Sequence, residues 1–468
     1  MRRLAGRPRL AAVAAVVFLA LLMWALYGSG SVGYDQLYQL LWGDELAEGR
    51  LPGYEAPRAP TPHPLPNLVG LLLAPLGDGS LEALKALSLV SYAALGVAAY
   101  VLGTRLFSRA VGVLFAALLL TRPSLVNQAL IASIDVPFLA LIVAAAAIEV
   151  RRPRAGVPVL LLLGVAGLIR PEAWLITSAY TLVLLRDASA RERAKLIALA
   201  TLPPLAWIAS DLAITGDALW SFHQARATSE RLAGAERYGD GGPIDTLEWT
   251  ARSWKGLLHL VPAIVSTAGL VLVAWLWRRR ARVPLALLAL GTASFLAIGF
   301  AGLPLLTRYF FMPATMLCLL AAAGVLAWRE LPEGSRERGV ARVAGVALGG
   351  ALVVHVPFLV DHMGGALEKV DRAQRLQDDL RSVAEDTRVR ELVPRCQPVQ
   401  TRLFRARPTL LWERRDDPPA RIVATRRLEL SAGMLLIYSL EERPLRPPGF
   451  TRVAANRTWT VLARCPRG

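Results

Sequence analysis

Seven side chains in this 468-residue chain combine a reactive type with an unusual setting: Asp35 in GYDQLYQ, His63 in TPHPLP, Arg122 in LTRPSLVNQ, Asp135 in LIASIDVPFLALIV, Arg170 and Glu172 in GLIRPEAWL, and Arg308 in LLTRYFFMPA. Each stands at or near the end of an apolar run, where an ionisable group is costly to place and therefore starts as a functional candidate. Carboxylates there can move a proton or hold a cation, and planar guanidinium forks are suited to phosphate oxygens. Each also has a structural alternative. Asp35 and Asp135 suit helix starts, the latter with Pro137 in the first turn. Arg170 and Glu172 are placed to form an ion pair, Arg122 and Arg308 can snorkel to an interface, and a lone histidine such as His63 is usually structural.

Other chemistries leave no trace. No HExxH or CxxC metal pattern, Walker loop or GxSxG elbow occurs in the sequence. The formal charge of +17 sits mostly in short clusters between apolar runs, which is the arrangement membrane topology requires and not a nucleic-acid surface.

The elements that must position these residues are membrane helices. The chain is 54% hydrophobic with a mean hydropathy of +0.42, and apolar stretches recur from Leu10 to Phe358, so the expected fold is an all-α polytopic membrane protein. Basic clusters at 2–9, 105–109, 151–154, 186–195, 278–282 and 329–342 mark cytoplasmic ends. Between them, spans are expected at 10–28, 81–104, 110–121, 135–150, 157–169, 173–185, 196–214, 257–277, 283–300, 309–328 and 340–360, about eleven crossings with the N-terminus inside and the C-terminus outside. The first run resembles a secretory signal, but its apolar core is long and no small-residue cleavage site follows it, so it is read as a retained helix. Asp35 and Asp135 then reach the same outer face.

A transmembrane domain is expected over 1–360, with a first external loop at 29–80 and a second at 215–255. In the first loop, 36–48 reads as an amphipathic helix along the interface and 65–76 as a short re-entrant or interfacial helix. In the second, Gly239 to Pro243 separates two helices. Residues 361–468 turn polar and read as a small extracytoplasmic α/β domain, with Ala455-Asn456 as a turn. Of three cysteines, Cys318 falls inside an apolar run, whereas Cys396 and Cys465 both fall in this domain and are candidates for a disulfide.

An acid just after the first membrane helix, a His-Pro before a short helix, an aspartate opening an outward helix and a basic-aromatic element near a late span together resemble the GT-C glycosyltransferases, in particular the protein-mannosyltransferase and aminoarabinose-transferase-like (family 39-like) branch. The resemblance implies a hexosyl or pentosyl transferase that moves a sugar from a polyprenyl-phosphate carrier to a glycan, lipid or protein acceptor at the outer face of a bacterial-type plasma membrane, with inversion. It implies Asp35 as the catalytic base, Asp135 as a second acid near the lipid phosphate, and His63 and Arg308 in the donor region; the chemistry of the residues themselves adds Arg170, Glu172 and Arg122 to that donor-phosphate or metal region. Family members often carry Asp-Glu in the first loop where this chain has Asp35-Gln36, which leaves Glu55 or Asp44 as the second loop acid and a divalent metal (Mg or Mn) an open requirement.

Two other classes compete. A transporter or lipid flippase would carry its polar groups near the membrane midplane, whereas here they lie at helix ends. A membrane-anchored envelope assembly protein would make the first loop dispensable.

Overall fold

A computed structural model of the chain describes residues 7–54, 60–232, 242–415, 421–424, 434–439 and 448–465. Eighteen helices are described: α1 (Arg7–Tyr27), α2 (Tyr34–Ala47), α3 (Pro64–Leu73), α4 (Gly79–Leu106), α5 (Arg109–Leu120), α6 (Pro123–Leu130), α7 (Asp135–Arg151), α8 (Val157–Ile169), α9 (Glu172–Leu185), α10 (Ala190–Thr215), α11 (Trp220–Leu232), α12 (Pro243–Leu258), α13 (Leu260–Leu276), α14 (Arg278–Phe300), α15 (Phe311–Leu326), α16 (Arg336–Ala384), α17 (Thr387–Leu392) and α18 (Ala406–Glu413). Five short strands complete the chain: β1 (Val399–Thr401), β2 (Ile422–Ala424), β3 (Met434–Ser439), β4 (Thr451–Ala455) and β5 (Trp459–Arg464).

Local chemistry sets the ends that matter. α10 opens on a capping box in which Ser189 and Glu192 satisfy each other's backbone N–H groups, and it closes on Gly216 in the left-handed conformation. Proline restricts the residue before it to extended backbone, and this ends two runs. Pro123 ends α5, and the chain bends by 65° into α6. Pro171 holds Arg170 extended (φ −146°, ψ 131°) between α8 and α9.

The chain is an integral membrane protein of the polytopic helical class. Among the described residues six helices are long and apolar enough to cross a bilayer, or up to eight if the bent pairs α5/α6 and α12/α13 each form one span. This count does not confirm the expected eleven crossings. The difference lies in the middle of the chain: α7, α8 and α9 have 17, 13 and 14 residues, about 26, 20 and 21 Å of rise against a hydrocarbon core of about 30 Å.

Two compact units form. The first contains Met1–Ser29, His63–Pro66 and Lys85–Leu367, the second Gly30–Pro62, Asn67–Leu84 and Glu368–Gly468. Most of the first loop, 30–62 and 67–80, falls in the same unit as the C-terminal segment.

In the first unit α15 is the hub, buried along its length from Phe311 to Val325. α13 crosses it backbone to backbone: a Cβ at Gly269 would stand 2.4 Å from the Leu320 carbonyl oxygen, and one at Gly324 would stand 2.7 Å from the Gly269 Cα. Small residues permit such close crossings in a membrane, where apolar burial alone gives helices little reason to associate. Large apolar side chains point outward from α1 (Leu10, Val17, Phe18) and α16 (Val343, Val353, Phe358), as lipid contact requires. α11 and α12 lie on the two sides of the glycine-rich break, as expected; residues 233–241 fall outside the described residues.

In the second unit, α2 does not have the polar face expected of an interfacial helix. Gln36 and Gln39 are buried at 2% and 4% exposure alongside Leu37, Leu40 and Trp42. Packing on several sides accounts for it. Tyr34 contacts Tyr38 and Phe404 edge-on, Trp42 contacts Tyr54, and Arg407 donates to the Tyr38 hydroxyl. The five strands form one sheet in the order β2-β1-β3-β5-β4, with β1 parallel to both neighbours and β5 antiparallel to β3 and β4. The Asn456 side chain accepts from the N–H groups of Thr458 and Trp459 and closes the β4–β5 turn. Cys396 and Cys465 form a disulfide, and Cys318 is free and buried.

Candidate active site

Four charged side chains of the first unit meet in one pocket. Asp135 is the first residue of α7, and it does not cap that helix. Its carboxylate instead accepts from the Ser133 hydroxyl (3.0 Å) and from Arg170, and lies 3.9 Å from Arg308. Arg170, aimed by the extended backbone before Pro171, also binds Glu172 at 2.5 Å. Asp135 and Arg170 are almost wholly buried, with side chains 2% and 7% exposed, whereas Arg308 keeps 30%. Tyr309 stacks on Arg170 at 4.4 Å and Phe138 approaches it at 5.6 Å. Leu139, Gly291, Ser294, Phe311 and Met312 complete the pocket wall.

The electrostatics follow from this count. Two guanidinium groups face two carboxylates, so the pocket is neutral without a ligand. Buried pairs persist only when well hydrogen-bonded, and the Arg170 fork, with both its partners, meets that condition. Arg308 sits on the 3-10 turn Thr307–Phe310, immediately before α15, and presents the more accessible positive charge. Arg170 fixes Asp135 and Glu172 in place, and Arg308 is the group with room to meet an anion.

A divalent cation does not fit this donor set. Asp135 already serves a hydroxyl and two arginines, and a metal there would stand against two positive charges. Among the described residues no three or more His, Cys, Asp or Glu side chains are placed to hold a metal ion.

The other anticipated residues lie elsewhere. His63 packs edge-on against Trp207, whose indole N–H donates to Ser221, itself bound to Asp211. Arg122 lines a different cavity with Ser124, Thr315 and Cys318. Asp35 belongs to the second unit, in the first turn of α2, where a negative charge favours the helix dipole; the neighbouring Tyr34 phenol is pushed up by its own burial first, then by Tyr38, and less by the charge of Asp35. Asp44 lies in the last turn of the same helix, half-buried, about 14 Å of helical rise from Asp35, too far to pair with it. Glu55 lies outside the described residues. Among the described acids of α2, Glu45 accepts from the Gly53 N–H at 2.9 Å, and burial pushes its carboxyl up. Ser133 and Phe138 carried no sequence signal beyond proximity to Asp135, and Tyr309 only its adjacency to Arg308.

No family model matches the chain, and no curated protein matches it. Solved structures do. ArnT from Cupriavidus metallidurans in the apo state aligns at a TM-score of 0.55 with 14% identity over 98% of both chains, and ArnT bound to undecaprenyl phosphate aligns at 0.52 with 16% identity over 97% of this chain and 98% of that one. The chain has the GT-C fold. A GT-C oligosaccharyltransferase from Archaeoglobus fulgidus, in the apo form, aligns at 0.51 with 13% identity over 88% of this chain and 64% of that chain. At these identities the likeness is one of GT-C architecture, and the residues of the pocket must be argued from their own chemistry.

Proposed function

We propose that this protein is a membrane glycosyltransferase that takes a hexosyl or pentosyl group from a polyprenyl-phosphate carrier and transfers it, with inversion, to a glycan, lipid or protein acceptor at the outer face of the membrane. The observation that carries the reading is the buried Asp135–Arg170–Glu172 cluster with Arg308 beside it on a GT-C fold. In the proposed topology the N-terminus is cytoplasmic and the C-terminal segment is outside.

The chemistry asks for two things. As the bond from the sugar anomeric carbon to the carrier phosphate oxygen breaks, negative charge grows on the phosphate, and a fixed guanidinium aimed at that charge lowers the barrier. Arg308 supplies it, oriented by Asp135, which is itself held by Arg170. As the new bond from the acceptor oxygen to the anomeric carbon forms on the opposite face, the acceptor hydroxyl proton must leave, and Asp35 is proposed to take it. The carrier departs as polyprenyl phosphate. That ArnT has been crystallised with undecaprenyl phosphate bound supports a carrier of this kind.

The test is turnover by the full chain reconstituted in liposomes containing a polyprenyl-phosphate sugar and membrane acceptor fractions. The expected result is loss of donor coupled to a product of opposite anomeric configuration; donor left intact across hexosyl and pentosyl carriers would contradict the proposal.

A further inference from the structure

A second cluster in the first unit is basic and is not used by this chemistry. Of five histidines in the chain, three come together: the His259 ring lies 4.3 Å from that of His362 and 5.9 Å from that of His355, centroid to centroid. His259 is the residue at the 104° break between α12 and α13, with φ 62° and ψ 162°, a conformation that residues with side chains rarely adopt. His355 and His362 stand two turns apart on α16, on one face.

Arg122 joins them from the α5/α6 break. It donates to the carbonyl of Leu258, directly before His259, at 2.7 Å and to that of Leu118 at 3.1 Å, and its charge reaches both His259 and His355. These two carbonyls use two of the five guanidinium N–H groups. Arg122 is 6% exposed and forms no ion pair among the described residues. His355 is 9% exposed and its Nε2 has no hydrogen-bond partner. The His362 Nδ1 donates to the Phe358 carbonyl at 2.7 Å, which leaves its Nε2 for an outside group. Asp361, the nearest acid in sequence, is paired with none of the four.

A buried cation and an orphaned buried imidazole without a carboxylate call for an oxyanion. The place narrows its source. α5 ends, α13 begins and the apolar part of α16 ends at this level, which puts the cluster at headgroup depth. Beside it, Val353, Val354 and Phe358 on α16 and Leu260 and Ile264 on α13 are exposed by 59–71%, an apolar surface suited to acyl chains. We propose that Arg122, His259, His355 and His362 form a phosphate-binding site for an anionic phospholipid headgroup, separate from the Asp135 pocket.

The test is native mass spectrometry of the detergent-purified full chain with phosphatidylglycerol, phosphatidylcholine or inorganic phosphate. Wild type should retain phosphatidylglycerol over phosphatidylcholine, and the His355→Ala/His362→Ala double variant should bind it about tenfold more weakly. Retention of inorganic phosphate with the same variant dependence would support the oxyanion site and assign it to the free anion. Equal retention of both lipids, or a double variant that binds phosphatidylglycerol as wild type does, would overturn the proposal. So would a zinc ion held by wild type and lost in the double variant, which would make the cluster a metal site.

Discussion

Asp135→Ala is expected to destabilise the first unit by about 3–5 kcal/mol, the cost of breaking a buried ion pair from one side. The substitution leaves two guanidinium groups facing Glu172 alone, in a pocket where Arg170 is 7% exposed. Much of that cost is the stranded charge and not the lost attraction, which gives a second, sharper expectation. Replacing both members by apolar residues of similar volume, Asp135→Leu with Arg170→Met, in a Glu172→Gln background that leaves no buried carboxylate stranded, should recover most of the stability while sugar transfer stays absent. Unfolding midpoints in detergent micelles read the first effect and the liposome assay reads the second. A single variant within about 0.5 kcal/mol of wild type would mean that the network does not bear on the fold. A double variant that transfers sugar would remove Asp135 from the mechanism.

Asp35→Asn should reduce transfer by about 10²–10⁴, the usual contribution of a positioned general base, with expression and membrane insertion intact. Asparagine preserves the shape of the side chain in the first turn of α2 and removes only its ability to take a proton. The fall should appear in turnover and leave carrier binding in place, because the proposed role of Asp35 concerns the acceptor hydroxyl. Wild-type turnover by the variant would show that another group takes the proton.

Much of the pocket was legible in the sequence because ionisable residues at the ends of apolar runs have few structural reasons to be there. Asp135, Arg170, Glu172 and Arg308, spread over more than 170 positions, stand out on that ground in one set with His63 and Arg122, and the structure brings the first four together in one pocket. Arg122 met the same criterion and belongs to another cavity, since end-of-helix position says which membrane level a side chain reaches and not which neighbours it finds there. The burial of Gln36 and Gln39 was not legible. Amphipathic spacing on α2 described a helix with one wet face, and only the tertiary partners Phe404 and Arg407, about 370 residues away in sequence, show that the face is covered. The number of crossings was not legible for a related reason: hydropathy finds the runs at 157–169 and 173–185 but does not say whether a run shorter than the bilayer crosses it. The three-histidine cluster was hidden because His259 lies about 100 residues before its partners and no short spacing announces it.

The central claim is that the pocket of Asp135, Arg170, Glu172 and Arg308 holds the phosphate of the carrier. The most direct measurement is equilibrium binding of undecaprenyl phosphate and of the corresponding phosphate-free polyprenol to wild type and to Arg308→Ala. Wild type is expected to bind the phosphate and to discriminate against the alcohol, and Arg308→Ala to bind the phosphate about 10–100-fold more weakly, as follows from loss of a charge-assisted hydrogen bond. Equal affinity of wild type for phosphate and alcohol, or an Arg308→Ala variant that binds undecaprenyl phosphate as wild type does, would contradict it.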